Sequence, residues 1–250
     1  MKNQTYNIPT VKCNIFYFDS ENNDDLAKEI VDILKKYEFF SPTIIHADNL
    51  TNNKFVACDG DMEKIFLEAY VQPKINSVWI SSLQNEADEL YWDLNWNFTS
   101  YKLKKCKALT IHTWNILQFS ATHKMFVKKG FANSFISCVK ELIRILNPIS
   151  AIIEDAEKCT EVLQKYQPFN PENIPAIFWG NYLAKKCILP EFANSCLESG
   201  IDLTQIGEGL FFTLTDNPLD YNTTKCMNLR RKLSKCVHNN KQVSKNLFSW

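Results

Sequence analysis

Glycine is scarce here, six residues in a chain of 250, and the scarcity removes whole classes of site. Neither GxxxxGK[ST] nor GxGxxG occurs, and Gly207-Glu208-Gly209 lacks both a third glycine and a following dinucleotide-fold helix. Nucleotide binding through a standard phosphate loop is therefore excluded. Histidine is rarer still. His46, His112, His123 and His238 fall in no HxH, HExxH or Cys/His zinc spacing, so neither a metal nor any other cofactor is predicted. GxSxG is absent too, and nothing marks a catalytic residue, so the expectation is a protein that is not an enzyme.

Charge of one sign is also missing. With 28 basic side chains against 28 acidic ones, no long-range field draws the molecule onto nucleic acid or an anionic membrane, and neither is expected as a partner. No run approaches the roughly 18 apolar residues that a membrane helix needs. No apolar stretch follows Met1-Lys2-Asn3-Gln4-Thr5, which predicts a cytoplasmic location. Linkers are lacking as well: no Gly/Ser-rich or Pro-rich segment divides the chain. The expectation is one domain over residues 1–238 with a polar tail at 239–250; the sequence leaves the oligomeric state open.

Cysteine and aromatic residues are plentiful. The nine cysteines are odd in number, none is spaced CxxC, and Cys13 and Cys138 sit in apolar settings, so reduced, buried thiols are predicted rather than disulfides. The 17 Phe, 9 Tyr and 6 Trp supply enough apolar area to offset the entropy of ordering the chain.

Periodicity predicts an α+β fold with a mixed or antiparallel sheet packed against several helices. Val11 to Phe18 reads as a strand apolar on both faces, hence central. Leu26, Ile30 and Leu34 form a helical stripe after an Asp/Asn-rich cap, and Phe39 to Ile45 reads as the next strand. A short helix is expected over Asp61 to Val71, followed by strands at Asn76 to Leu83, Leu90 to Tyr101 and Lys107 to Phe119. Helical spacing of Phe131, Phe135, Val139, Leu142 and Leu146 predicts one helix from about Met125 to Leu146, ended by Asn147-Pro148. Further on come a strand at Ser150 to Ile153, a helix over Asp155 to Tyr166, a strand at Ile177 to Tyr182 and a short helix at Pro190 to Ser199. A hairpin turning at Gly207-Glu208-Gly209 follows, and then a basic helix over Thr223 to Val237.

Four constellations invite a functional reading. Asp59 with Asp61, and Glu154 with Asp155, are paired acids at predicted helix starts, where capping of free amides competes with acid–base work. Lys225, Arg230, Arg231, Lys232, Lys235, Lys241 and Lys245 make the C-terminal segment basic. Without interleaved aromatics to stack bases they read as a solvated face, with Met227, Leu229 and Leu233 turned to the core. The strand Tyr91 to Phe98 alternates Trp92, Leu94, Trp96 and Phe98 with Asp93, Asn95 and Asn97. With Glu86, Asp88 and Glu89 just upstream, its polar residues Asp93, Asn95 and Asn97 form a candidate acidic recognition surface for another protein.

Two stretches, Ile174-Pro175-Ala176-Ile177-Phe178-Trp179-Gly180-Asn181-Tyr182-Leu183 and Ile206 to Asp220 with Gly207, Gly209 and Leu214-Thr215-Asp216-Asn217-Pro218, carry a resemblance. Together, roughly over Pro168 to Val237, they resemble the C-terminal part of bacterial immunity proteins of the immunity protein fifty-two type. The resemblance implies a non-catalytic protein that binds and neutralises a cognate bacterial toxin; it assigns no contact residues. The rival expectation is an enzyme of unfamiliar class that uses carboxylates such as Asp93 or Glu154 in a cleft. A third is a secreted effector or scaffolding protein, for which no translocation signal is legible.

Overall fold

Strand β1, Thr10–Tyr17, lies in the middle of the sheet, as its two-sided apolar character predicts. In the computed structural model, the described residues are 8–17, 24–40, 44–49, 64, 75–82, 90–97, 115–165 and 176–237. Among them the strands are β1, β2 (Ile44–Asn49), β3 (Ile75–Ser81), β4 (Trp92–Asn97), β5 (Asn115–Thr122), β6 (Ser150–Asp155), β7 (Gly180–Ala184), β8 (Thr204–Ile206) and β9 (Gly209–Thr213). They form a single sheet in the order β2-β3-β4-β5-β1-β6-β7-β9-β8, with every neighbouring pair antiparallel. The fold class is α+β.

Helices cover both faces. On one side, α3 (Phe131–Leu146) presses Phe135 flat against Phe119 of β5, with ring centroids 4.7 Å apart. Beside it α1 (Asp24–Lys35) buries Leu26, Ile30 and Leu34, its apolar stripe. Just after α1, Lys36 and Tyr37 both reach Glu141 of α3, at 2.5 and 2.8 Å. The sheet contributes Cys13, Ile15, Trp92, Leu94, Trp96 and Leu117 to this core, all fully buried. Each large side chain so enclosed is worth about 2–3 kcal/mol of transfer free energy. On the other side lie α4 (Ala156–Lys165), α5 (Phe192–Leu197) and α6 (Thr224–Leu233). Phe192 of α5 packs on Phe212 of β9 at 5.3 Å, and Cys159 of α4 sits over Asn14 of β1 at 3.3 Å.

Three expectations need correction. The strand predicted over Phe39 to Ile45 begins only at Ile44, because Glu38–Phe40 form a 3-10 turn. That turn drops Phe40 into an aromatic cluster with Trp92, Phe119 and Phe131, which outweighs local strand propensity. The long helix from Met125 is two helices, α2 (His123–Val127) and α3, separated where Gly130 takes a φ of 84° that a helix interior does not allow. The strand expected from Ile177 starts at Gly180, since the Asn181 amide binds both the N–H and the C=O of Phe178, each at 2.9 Å, and closes a turn there. Of the helix expected at Asp61 to Val71 residue 64 alone is described, and it is helical; the tail at 239–250 lies outside the described residues.

The C-terminal hairpin forms as predicted, turning at Gly207 with φ 53°. Asn217 and Pro218 open a 3-10 turn before α6, with the Asn217 side chain accepting from the Leu219 N–H at 3.0 Å. Of the residues assigned to the core side of α6, Leu233 is buried and Leu229 packs against the core, whereas Met227 is exposed. All seven described cysteines are buried and no disulfide joins any of them, as expected of reduced thiols.

Candidate polar face and buried carboxylates

Antiparallel register places the predicted recognition residues in rows that run across the sheet. One row reads Ser81 (β3), Asp93 (β4), Ser120 (β5), Lys12 (β1) and Glu154 (β6), each directly opposite the next. The next row reads Trp79, Asn95, Gln118, Asn14, Ile152 and Asn181. Because side chains alternate with period two, both rows project from the face opposite α1 and α3. The alternation predicted for β4 is therefore real: Trp92, Leu94 and Trp96 are buried, while Asp93 and Asn95 are half-buried and Asn97 is exposed. Glu86, Asp88 and Glu89, predicted with them, lie outside the described residues.

Asp93 Oδ2 accepts a hydrogen bond from Ser120 Oγ at 2.8 Å. Burial pushes its carboxyl above the ordinary range, opposed by that hydrogen bond and by the positive charge of Lys12. Asn95, two residues on, buries its Oδ1 without a hydrogen-bond partner among the described residues. Opposite Asn95 stands Trp79, 47% exposed, where the tryptophans of β4 are fully covered. Trp79 was not singled out from the sequence. Its signal is parity: it falls between Val78 and Ile80, both of which point into the core.

Deeper in the same face, Gln118 Nε2 donates to Asn14 Oδ1 at 2.7 Å, and Asn14 Nδ2 donates to Cys159 Sγ at 3.3 Å. Burial, and next the negative charge of Glu154, push the Cys159 thiol up to about 12, so it is no thiolate nucleophile.

Glu154 is completely buried. Burial raises its carboxyl to about 7, against the pull of Arg230 and of backbone N–H groups. Arg230 Nη2 stands 2.6 Å from Oε2, the Trp179 N–H donates to Oε2 at 3.1 Å, and the Asp155 N–H donates to Oε1 at 3.2 Å. The capping expected of the acid pair falls to Asp155, while Glu154 serves the interior. Asp155 Oδ1 accepts from the N–H groups of Glu157 and Lys158 at 3.1 and 3.2 Å, capping α4, while Oδ2 lies 3.0 Å from His123 Nε2. Arg230 likewise leaves the solvated basic face assigned to it. It shares a helical stripe with buried Cys226 and Leu233, at spacings of four and three, and that spacing was the available signal.

The two acids offered for the rival expectation, Asp93 and Glu154, do not meet. They share a row, but Ser120 and Lys12 stand between them, and three strand spacings put their Cα atoms about 14 Å apart. No cluster of three or more His, Cys, Asp or Glu that could hold a metal occurs among the described residues. No helix among them is long and apolar enough to cross a membrane.

No protein family matches the sequence, and no curated protein matches it. A solved structure does: the Pseudomonas aeruginosa T6SS protein PA0821 is similar over 90% of this chain and 73% of its own, with a TM-score of 0.58 and 11% sequence identity. At that identity the likeness is one of fold.

Proposed function

We propose that this chain is a non-catalytic immunity protein that binds and neutralises a cognate bacterial toxin in the cytoplasm, presenting the polar face of β3, β4 and β5 to it. The observation that carries the reading is Trp79. A large aromatic left half-open at mid-strand, ringed by Asp93, Asn95 and Asn97, has the make-up of an interface anchor inside a polar rim. The wider setting supports it. The C-terminal third resembles immunity proteins of the fifty-two type, and a T6SS protein shares the fold. The two carboxyls with raised pKa values, Asp93 and Glu154, stand too far apart to share a reacting atom.

Co-expression with the toxin encoded beside this chain's gene tests the proposal. The expected result is restored growth and a stoichiometric complex on size exclusion, both lost on W79A while the variant stays folded. Neither rescue nor a complex with the unaltered chain would sink it.

A further inference from the structure

We infer that the polar face receives an arginine side chain of the partner protein, with Trp79, Asp93 and Asn95 as its seat; the inference rests on the reading of this face as the binding surface. Trp79 and Asn95 are directly opposed in the β3–β4 register, which sets their Cβ atoms about 5 Å apart. Asp93 lies two positions along β4 on the same face, about 7 Å from Asn95. One planar group about the size of a guanidinium spans all three.

Each of the three asks for such a group in its own way. Asn95 Oδ1 is a buried acceptor with no hydrogen-bond partner among the described residues. An orphan of this kind is rare in folded proteins and calls for an N–H from outside. Asp93 holds one hydrogen bond, from Ser120, and makes no ion pair among the described residues. Among the described residues the cation that acts on it is Lys12 of β1, whose Cα is two strand spacings or about 10 Å away. Its remaining lone pairs accept from a cation best. Trp79 is left half-exposed, and indole is the strongest of the aromatic surfaces for a cation.

Arginine meets these demands together. Its guanidinium is planar, stacks on indole, stays charged, and carries five donors in a fixed fork that can serve a carboxylate and an amide oxygen at once. A lysine ammonium would supply charge without the plane. A neutral amide would supply donors without charge.

The test uses the full chain, 15N-labelled, and N-acetyl-arginine amide as the probe. The Trp79 indole N–H and the Asn95 side-chain amide resonances should shift saturably, and the neutral isostere N-acetyl-citrulline amide should leave them in place. D93N and W79A should each weaken the arginine effect about tenfold or more, the size expected for one charge-assisted contact, with the remaining spectrum confirming the fold. No shift at those two resonances, an equal shift with citrulline, or shifts centred elsewhere would overturn the arginine assignment. So would a dimer of this chain that W79A dissociates, since a second copy would then be the occupant. The same variants against the toxin separate the two claims. If D93N and W79A abolish the complex while arginine amide binds nowhere on the face, the surface stands and its ligand chemistry falls. If the toxin ignores both variants, the surface itself falls.

Discussion

Glu154 on β6 and Arg230 on α6 form an ion pair, Oε2 to Nη2 at 2.6 Å, in which the carboxylate is wholly buried and the guanidinium nearly so. The pair ties the last helix to the central sheet, and its charges are only partly compensated. Arg230 Nε and Nη2 lie buried outside hydrogen-bonding geometry, so Nη2 contributes attraction without a well-aligned bond.

Stability should therefore depend on pH through Glu154. Its carboxyl is raised from the ordinary 4.5 to about 7, so between those values the folded chain holds a proton that the unfolded chain has released. Stability then falls as pH rises through that window and levels off above it, by on the order of 3 kcal/mol from this group. E154Q should remove that slope from urea-unfolding free energies measured between pH 4.5 and 8. R230M strips the carboxylate of its counter-charge and should cost more at pH 8 than at pH 5. A slope unchanged in E154Q would rule out Glu154 as its source.

Two tryptophans on adjacent strands should behave in opposite ways. Trp96 of β4 is fully buried and its indole N–H donates to Tyr17 Oη, whereas Trp79 of β3 is half-open. W96A should lose about 3–5 kcal/mol of folding free energy, the range for a large aromatic removed from a core. W79A should stay within about 1 kcal/mol of the parent, since surface substitutions rarely exceed that. Chemical denaturation of both variants decides it, and comparable losses would place Trp79 in the core.

Gly209 is where the hairpin meets β7. A Cβ there would run into the ring of Tyr182, whose hydroxyl donates to the Ile206 carbonyl at 3.2 Å. G209A should accordingly cost about 3 kcal/mol, the upper end for overpacking. Y182A opens the space, so the double variant should lose less than the two single losses summed. G207A is a different case. No close contact is met there, and the cost of about 1–2 kcal/mol comes from a φ of 53°, which relief at Tyr182 should not change.

Much of this was legible in the chain because period alone fixes which side of an element faces inward. The two-sided run of β1, the alternation of β4 over Trp92–Asn97 and the stripes of α1 and α3 each survive into the structure, β1 at nearly its predicted bounds and α3 without the first turns expected of it. What failed were places where a contact between distant residues overrides local pattern. Phe40 reads as a strand residue until Trp92 and Phe131 close around it. Asn181 reads as a strand residue, and is one, but its side chain also folds back to end the preceding segment. Of the site, Asp93, Asn95 and Asn97 were found by alternation, whereas Trp79 required knowing that β3 lies beside β4. Arg230 reads as solvated because its counter-charge, Glu154, is 76 residues away in sequence.

The cysteines supply a last test, one that separates buried thiols from reactive ones. Burial raises Cys13 and Cys138 well above the ordinary thiol range and takes Cys159 and Cys196 up to about 12, so at pH 8 none of the four offers appreciable thiolate. Cys187, Cys226 and Cys236 are buried as well, and access alone should protect them. Iodoacetamide at pH 8, read by peptide mass mapping, should leave all seven unmodified in the native protein. Denaturant should then expose them together if the sheet unfolds as one cooperative unit. Labelling of Cys159 under native conditions would contradict its position on the inner face of α4, since the thiol reaches solvent only if that helix leaves the sheet.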